Sequence, residues 1–272
     1  MEDDDKEKPE GLALSYLGAV GWTFGLSVLV ALIAGPISSL GPRGGLDLVT
    51  LVGAQGIATL LVLMGMARLH APEDRMGDIL GARPSPWALV VLAMVVGAAA
   101  ALPLATLDDL MATRFQLGED ARAALADIYS TDTPRKRVAL AVTLLASAAF
   151  DELFYRGAVF GLLERDKPRE MAVFATTAIG LFLQFDPLHL ATALILGALA
   201  AHARALSQSL FPALALRVAF YAVPAATILS GHEKDSIGAG ALATTAVAAV
   251  LGAAFFVFLA RRLVGPGKIA PR

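Results

Sequence analysis

The sequence contains no cysteine. A disulfide framework, a thiolate metal site and a cysteine nucleophile are therefore excluded. Charged residues make up only 17% of the chain, whereas soluble domains carry about a quarter. The formal net charge is −2, so no broad basic surface is expected and nucleic acid is not a predicted partner.

Hydrophobic residues make up 57% of the 272-residue chain. They occur in runs of about 20, the length that a helix needs to cross the hydrocarbon core of a bilayer. The sequence therefore predicts an all-α, polytopic transmembrane bundle of about eight helices, surrounded by membrane lipid. The predicted spans are Leu12–Gly35, Leu46–His70, Pro86–Leu107, Val138–Leu163, Met171–Phe185, Leu188–Leu206, Ser209–Leu229 and Gly240–Val264.

The apolar runs also predict how the chain is divided. A polar cytoplasmic tail (1–11) precedes a region of three membrane helices (12–107). The only long polar stretch, 108–137, mixes apolar and charged residues at helical spacing and predicts one or two interfacial helices. A C-terminal helical core (138–264) and a second tail (265–272) follow.

Lysine and arginine are distributed unevenly between the predicted loops. With the N-terminus cytoplasmic, about 13 basic residues lie on the inner side and about 7 on the outer side, in agreement with the positive-inside rule. Arg135, Lys136 and Arg137 border a helix on the predicted outer side and count against this orientation. The predicted location is a bacterial cytoplasmic membrane, with multiple spans and both termini cytoplasmic.

Ionisable side chains inside the predicted spans occur mainly in the second half of the chain. A charge in hydrocarbon costs a few kcal/mol or more, so it usually faces a partner or a wet cavity. Glu152 and Arg156 share one helix face and can form an ion pair. A purely structural ion pair is the alternative to a catalytic role. Asp151 is rotated by about 100° toward the face of Tyr155, where it can point into a cavity.

The dipeptide Asp186-Pro187 predicts a helix start at membrane depth, with Asp186 as N-cap and His189 near the third helical position. Broken helices are tolerated where they line a cavity, so His189 is expected beside one. The alternative is a core histidine bonded to a neighbouring carbonyl. At 1.5 Å per residue, Asp151, His189 and Arg217 lie about 15 to 22 Å from the same predicted side. Three helices are therefore expected to bring them to similar depth.

From about Ala149 to Tyr221, the chain resembles the CPBP family of intramembrane peptidases, the CAAX prenyl endopeptidase and bacteriocin-processing group, which is also called the ABI family. The first family motif, E-E-x-x-x-R followed by glycine, corresponds to Asp151–Gly157. The second motif, F-x-x-x-H, corresponds to Phe185–His189. The third motif, H-x-x-x-N, corresponds to Arg217 and Tyr221 and is degenerate.

The resemblance implies an intramembrane endopeptidase whose peptidase core is the C-terminal helical core. By analogy, Asp151 activates a water that attacks a peptide carbonyl, and His189 and Arg217 assist. Glu152 and Arg156 belong to the catalytic motif. Asp151 is one methylene shorter than the glutamate of the family, so the backbone or the water must shift by about 1 Å.

The family resemblance also bears on metal, substrate and partner. A divalent metal such as zinc is one account of the family's chemistry, but Arg217 disfavours it because a guanidinium has no lone pair to donate. No cofactor is therefore predicted, and a divalent metal remains the alternative that the resemblance implies. The implied substrate is a membrane-associated peptide or protein, with Tyr155, Phe185 and Tyr221 as candidate substrate-binding residues. Packing is the alternative role for Tyr155, and the oligomeric state is not predicted.

The replaced residues of the third motif leave a second function open. A catalytically silent relative would keep the bundle and bind a membrane peptide or a partner protein. A transporter or channel is a third class, and it is disfavoured because the first half of the chain carries no matching repeat or charged helix.

Overall fold

The computed structural model describes residues 11–40, 48–114, 133–183, 189–231 and 239–264. Within these ranges the regular structure is helical throughout, without a strand. The helices are α1 (Tyr16–Leu40), α2 (Leu48–His70), α3 (Met76–Ile79), α4 (Trp87–Arg114), α5 (Pro134–Asp166), α6 (Arg169–Leu183), α7 (Leu190–Ser207), α8 (Leu210–Ser230) and α9 (Ala239–Val264).

Seven of these helices are long and apolar enough to cross a membrane, namely α1, α2, α4, α5, α7, α8 and α9. The remaining predicted span is α6, of which 15 residues are described. Large apolar side chains cover the outside of the bundle, such as Leu17 (81% exposed), Phe174 (68%) and Val250 (69%). The predicted polytopic helical bundle is thus confirmed, and the protein is a multi-pass membrane protein.

Local sequence explains where α5 and α8 begin. The hydroxyl of Thr133 accepts a hydrogen bond from the Lys136 N–H at 3.3 Å, and Pro134 occupies the first helical position of α5. The Ser209 hydroxyl accepts from the Phe211 N–H at 3.3 Å at the start of α8. Both arrangements satisfy backbone donors that a helix start leaves unpaired.

Helix α4 is longer than the apolar run from which it was predicted. It continues past Leu107 to Arg114, so residues 108–114 extend this helix and do not begin a separate one. The reason is tertiary: the Thr192 hydroxyl of α7 donates to the Asp108 carboxylate at 2.8 Å. The rest of the predicted interfacial segment, 115–132, lies outside the described residues.

Helix α8 lies at the centre of the bundle and packs against α4, α5 and α7. Its contact with α4 is close, because a Cβ added to Gly97 would lie 2.0 Å from the Leu216 carbonyl oxygen. One buried apolar cluster surrounds the second half of α5, and another joins α4, α7, α8 and α9. The charged residues of interest lie where α5 meets α8, next to both clusters.

Candidate active site

Helix α5 changes its winding within the family motif. Residues Pro134–Glu152 are α-helical, Leu153–Val159 form a π-helical segment, and Phe160–Asp166 are α-helical again. Tyr155 and Arg156 lie in the π-helical segment, and both are buried. Such wide turns are rare and occur frequently at functional sites. No feature of the sequence alone predicted this one.

A buried carboxylate lies between two guanidinium groups. The Oε1 atom of Glu152 is 3.4 Å from Nη1 of Arg156 and 3.3 Å from Nη1 of Arg217, and its side chain is fully buried. The Nη2 group of Arg156 also donates to the Gly197 carbonyl at 2.7 Å. The predicted Glu152–Arg156 ion pair within α5 is present, and Arg217 of α8 extends it to a second helix. A buried charge of this kind requires such compensation.

Arg217 and Gln55 both donate hydrogen bonds to the Asp151 carboxylate. The Nη2 group of Arg217 donates to its Oδ2 at 3.2 Å, and Nε2 of Gln55 donates to its Oδ1 at 3.0 Å. The Ser147 hydroxyl donates to Oε1 of Gln55 at 2.9 Å. That contact fixes the amide so that its NH₂ group faces Asp151. Gln55 was missed by the sequence analysis, because an uncharged amide in a span gives no strong signal.

A cavity of about 260 Å³ lies beside this cluster. Its polar lining residues include Asp108, His189, Thr192, Arg217 and Tyr221. Asp151, which the sequence allows to point into a cavity, does not line this one among the described residues. Among the described residues that line it, Arg217 is present and Asp151 is not, because the Asp151 carboxylate turns toward Arg217 and Gln55. Its side chain nevertheless remains 14% exposed.

His189 occupies the N-cap position directly before Leu190. The prediction that it lies near the third helical position is therefore wrong, because α7 begins later than Asp186-Pro187 suggested. The alternative of a buried core histidine is also wrong, since the side chain is 63% exposed. Asp186 and Pro187, the predicted helix start, lie outside the described residues.

The structure places His189 beside Asp108, a residue that the sequence analysis did not select. Its Nδ1 atom lies 3.2 Å from Oδ2 of Asp108, whose Oδ1 accepts from the Thr192 hydroxyl at 2.8 Å. A carboxylate at Nδ1 orients the ring and favours the tautomer with its lone pair on Nε2. Asp108 was missed because an acidic residue at the end of an apolar run resembles the start of a loop.

The three predicted substrate-binding residues have different surroundings. Tyr221 lines the cavity, and the Arg217 guanidinium lies 5.9 Å from its ring centroid. Tyr155 is 4% exposed and belongs to the apolar cluster around α5, which agrees with the packing alternative. Phe185 lies outside the described residues. Only Tyr221 therefore has a described position from which it can contact a molecule in the cavity.

The described side chains at the cavity do not form a zinc site. Zinc is usually held by three or four protein ligands, and no group of three or more metal-binding side chains occurs among the described residues. His189 and Asp108 are the metal-binding types that line the cavity. At the third-motif position, Arg217 brings a permanent positive charge and no lone pair.

The site combines side chains that can exchange protons with guanidinium groups that are held in place. Asp151 supplies a partly exposed carboxylate, and His189 supplies an exposed imidazole held by Asp108. Arg217 contacts Asp151 and lines the cavity, so it joins the two groups. A fixed guanidinium of this kind can stabilise negative charge that develops on a substrate oxygen.

Because the chain has no cysteine, single cysteines can report whether the cavity holds water. We expect a charged, water-soluble thiol reagent to label Ala193→Cys, which lines the cavity, at least about tenfold faster than Val250→Cys, since the reagent does not enter hydrocarbon. Val250 is 69% exposed on the apolar face of α9 and is the matched control. Equal labelling rates in liposomes would contradict a water-filled cavity.

The comparisons with known proteins cover the region that contains this site. No match was found among curated proteins or among solved structures. A family model does match residues 133–223, which include α5, α7 and most of α8. That model is described as Type II CAAX prenyl endopeptidase Rce1-like, so the predicted resemblance to the CPBP family of membrane peptidases is confirmed.

Proposed function

We propose that the protein is an intramembrane endopeptidase that hydrolyses a peptide bond with an activated water. The observation that carries this proposal is the position of Arg217, which contacts the Asp151 carboxylate and lines the cavity that contains His189. The family match over residues 133–223 supports the same reaction class. The site therefore combines a candidate base, a candidate acid and a fixed cation.

The proposed reaction begins with a water that reaches Asp151 through its exposed fraction. Asp151 takes one proton, and the hydroxide adds to the peptide carbonyl carbon. The carbonyl oxygen becomes an oxyanion that Arg217 stabilises in place of part of its present contact with Asp151. Collapse of the intermediate breaks the C–N bond. The Nε2 lone pair of His189 takes the proton held by Asp151 through solvent, and His189 delivers that proton to the leaving amine, so that both side chains return to their starting states.

The proposed reaction assigns supporting roles to three further groups. Asp108 orients His189, and Gln55 orients Asp151. Glu152 balances the charges of Arg156 and Arg217, which holds Arg217 at the cavity. No step uses a metal, because the cationic side chain of Arg217 stands where a second histidine ligand would be needed.

The proposed substrate is a membrane-associated peptide or protein that enters the cavity from the bilayer or its surface. The proposed orientation has both termini in the cytoplasm of a bacterial cell, supported by the distribution of basic residues. The proposed site lies at membrane depth, because the helices that carry its residues are proposed to cross the bilayer.

Incubation of the purified protein in liposomes with a mixed library of prenylated and leader-type peptides tests the proposal. In H₂¹⁸O, hydrolysis by an activated water places one ¹⁸O atom in each new C-terminal carboxylate, which mass spectrometry detects. Folding is checked separately by thermal unfolding. A folded protein that yields no product from any peptide would overturn the proposed activity for those substrates.

The second candidate function is a catalytically silent binder of a membrane peptide or partner protein. The specific observation in its favour is the direct contact between Arg217 and Asp151, since two carboxylates and two guanidiniums neutralise each other within the cluster. In that case the peptides that protect the protein from thermal unfolding would remain intact.

We expect His189→Ala to lower kcat by about 10²-fold or more, because the variant loses the proton donor for the leaving amine. His202→Ala is the matched control. His202 lies on α7 as well, but its ring contacts the Ala198 carbonyl at 2.9 Å on an exposed surface. Initial rates with the best library peptide measure the effect. Equal losses for both variants would argue against a role for His189 in the reaction.

A further inference from the structure

Arg204 is a buried arginine on α7 that does not line the cavity of the candidate site. Its guanidinium lies 5.2 Å from the centroid of the Phe160 ring. The Arg204 guanidinium also lies against Gly81, which has no side chain. A Cβ added to Gly81 would lie 2.1 Å from Nη2 of Arg204. Gly81 also has a φ of +63°, which glycine adopts without strain. A special turn therefore accommodates this side chain.

The Arg204 side chain binds the backbone of the π-helical segment. Its Nε–H donates to the Arg156 carbonyl at 3.2 Å. In an α-helix that carbonyl would accept the N–H of Phe160, four residues later. Here the Phe160 N–H donates to the carbonyls of Tyr155 and Gly157 instead. Arg204 thus supplies a donor to a buried carbonyl at the point where the helix departs from α-helical pairing.

Two ion pairs connect Arg156 to the cavity. Arg156 is 3.4 Å from Glu152, and Glu152 is 3.3 Å from Arg217, which lines the cavity. Loss of the wide turn would leave Glu152 and Arg156 on one helix face, but it would rotate the Arg156 side chain relative to α7, where Arg156 donates to the Gly197 carbonyl at 2.7 Å. Arg156 would then not keep both the Gly197 contact and its present ion-pair geometry with Glu152, which in turn pairs with Arg217.

We propose that Arg204 is a positioning residue: it holds the π-helical segment of α5 and so fixes the ion pairs from Arg156 through Glu152 to Arg217. The geometric part of this inference is independent of any reaction. The expectation that Arg204 affects turnover rests on the proposed function. Arg204 touches neither Asp151 nor His189 in the described contacts, so its effect would be indirect.

Hydrogen exchange of backbone amides in detergent micelles tests the geometric part. In Arg204→Met we expect amides 153–160 to exchange at least about tenfold faster than in the wild type, while the amides of α9 keep their rates. Arg68→Met, an exposed arginine at the end of α2, is the matched control. Unchanged exchange at 153–160 in folded Arg204→Met would overturn the proposal.

A second variant decides the question if Arg204→Met does not fold. Gly81→Ala leaves Arg204 in the sequence but fills the space of its guanidinium, and we expect the same local increase in exchange. Gly77→Ala is its control, because a Cβ there meets nothing within 4 Å. Equal exchange at 153–160 in the two alanine variants would also overturn the proposal.

Turnover separates this inference from the proposed function. If the wild type hydrolyses a library peptide, Arg204→Met should lower kcat at least about tenfold with KM unchanged, because the cavity remains and the ion pairs lose their geometry. An equal kcat for the variant would overturn the effect on turnover. If the wild type shows no hydrolysis, the exchange experiment still decides whether Arg204 holds the π-helical segment.

Discussion

Replacement of Asp151 by asparagine is expected to lower peptide hydrolysis by a factor of about 10³ or more, because an amide cannot take a proton from the attacking water. The change is nearly isosteric, and the amide oxygen can still accept from Arg217 or from Gln55. The loss should therefore appear mainly in kcat, and the thermal midpoint should fall only modestly because Arg217 keeps Glu152 as a counter-charge. Initial rates in liposomes with a library peptide and unfolding in micelles measure the two effects.

Two companion variants identify what Asp151 contributes. Asp166→Asn changes an exposed aspartate at the other end of the same helix and should keep the wild-type rate. Asp151→Glu restores the carboxylate found in the family motif and should retain measurable hydrolysis. Wild-type turnover by Asp151→Asn would exclude Asp151 as the base. Loss of turnover in Asp151→Glu as well as Asp151→Asn would indicate that the site depends on the length of this side chain.

The spans and one ion pair were predictable from sequence because their causes are local. Long apolar runs must lie in hydrocarbon, and a spacing of four residues places Glu152 and Arg156 on one helix face. The convergence of α5 and α8 also followed from the depth of their charges, and Arg217 does contact Asp151 at 3.2 Å. In each case a buried charge limits the arrangements that are energetically possible.

The remaining parts of the site depend on tertiary contacts that a single sequence does not reveal. The π-helical segment contains ordinary helix residues, and its distinctive hydrogen bond comes from Arg204 on another helix. Asp108 lies in α4 at the end of an apolar run, and its contacts with Thr192 and His189 come from another part of the chain. Gln55 has no charge, so its cost in a membrane gives little warning of its contact with Asp151.

Replacement of Arg217 by methionine is expected to destabilise the protein by about 3–5 kcal/mol, the cost of removing one partner from a buried ion pair. Asp151 and Glu152 would then face each other's charge with Arg156 as the nearby described guanidinium. Methionine fills much of the space of the arginine stem, so a large cavity is not the cause of the loss. Reversible unfolding by SDS in mixed micelles measures the free energy of unfolding.

A matched arginine and a double-mutant cycle test this explanation for Arg217. Arg165→Met removes a partly exposed arginine that pairs with Asp74, and it should cost no more than about 1 kcal/mol because water compensates both charges. Glu152→Gln should destabilise the wild type but recover part of the stability lost in Arg217→Met, since it removes the uncompensated carboxylate. If the two substitutions are additive, Glu152 and Arg217 do not compensate each other. The buried charges would then have to be stabilised by contacts other than this ion pair.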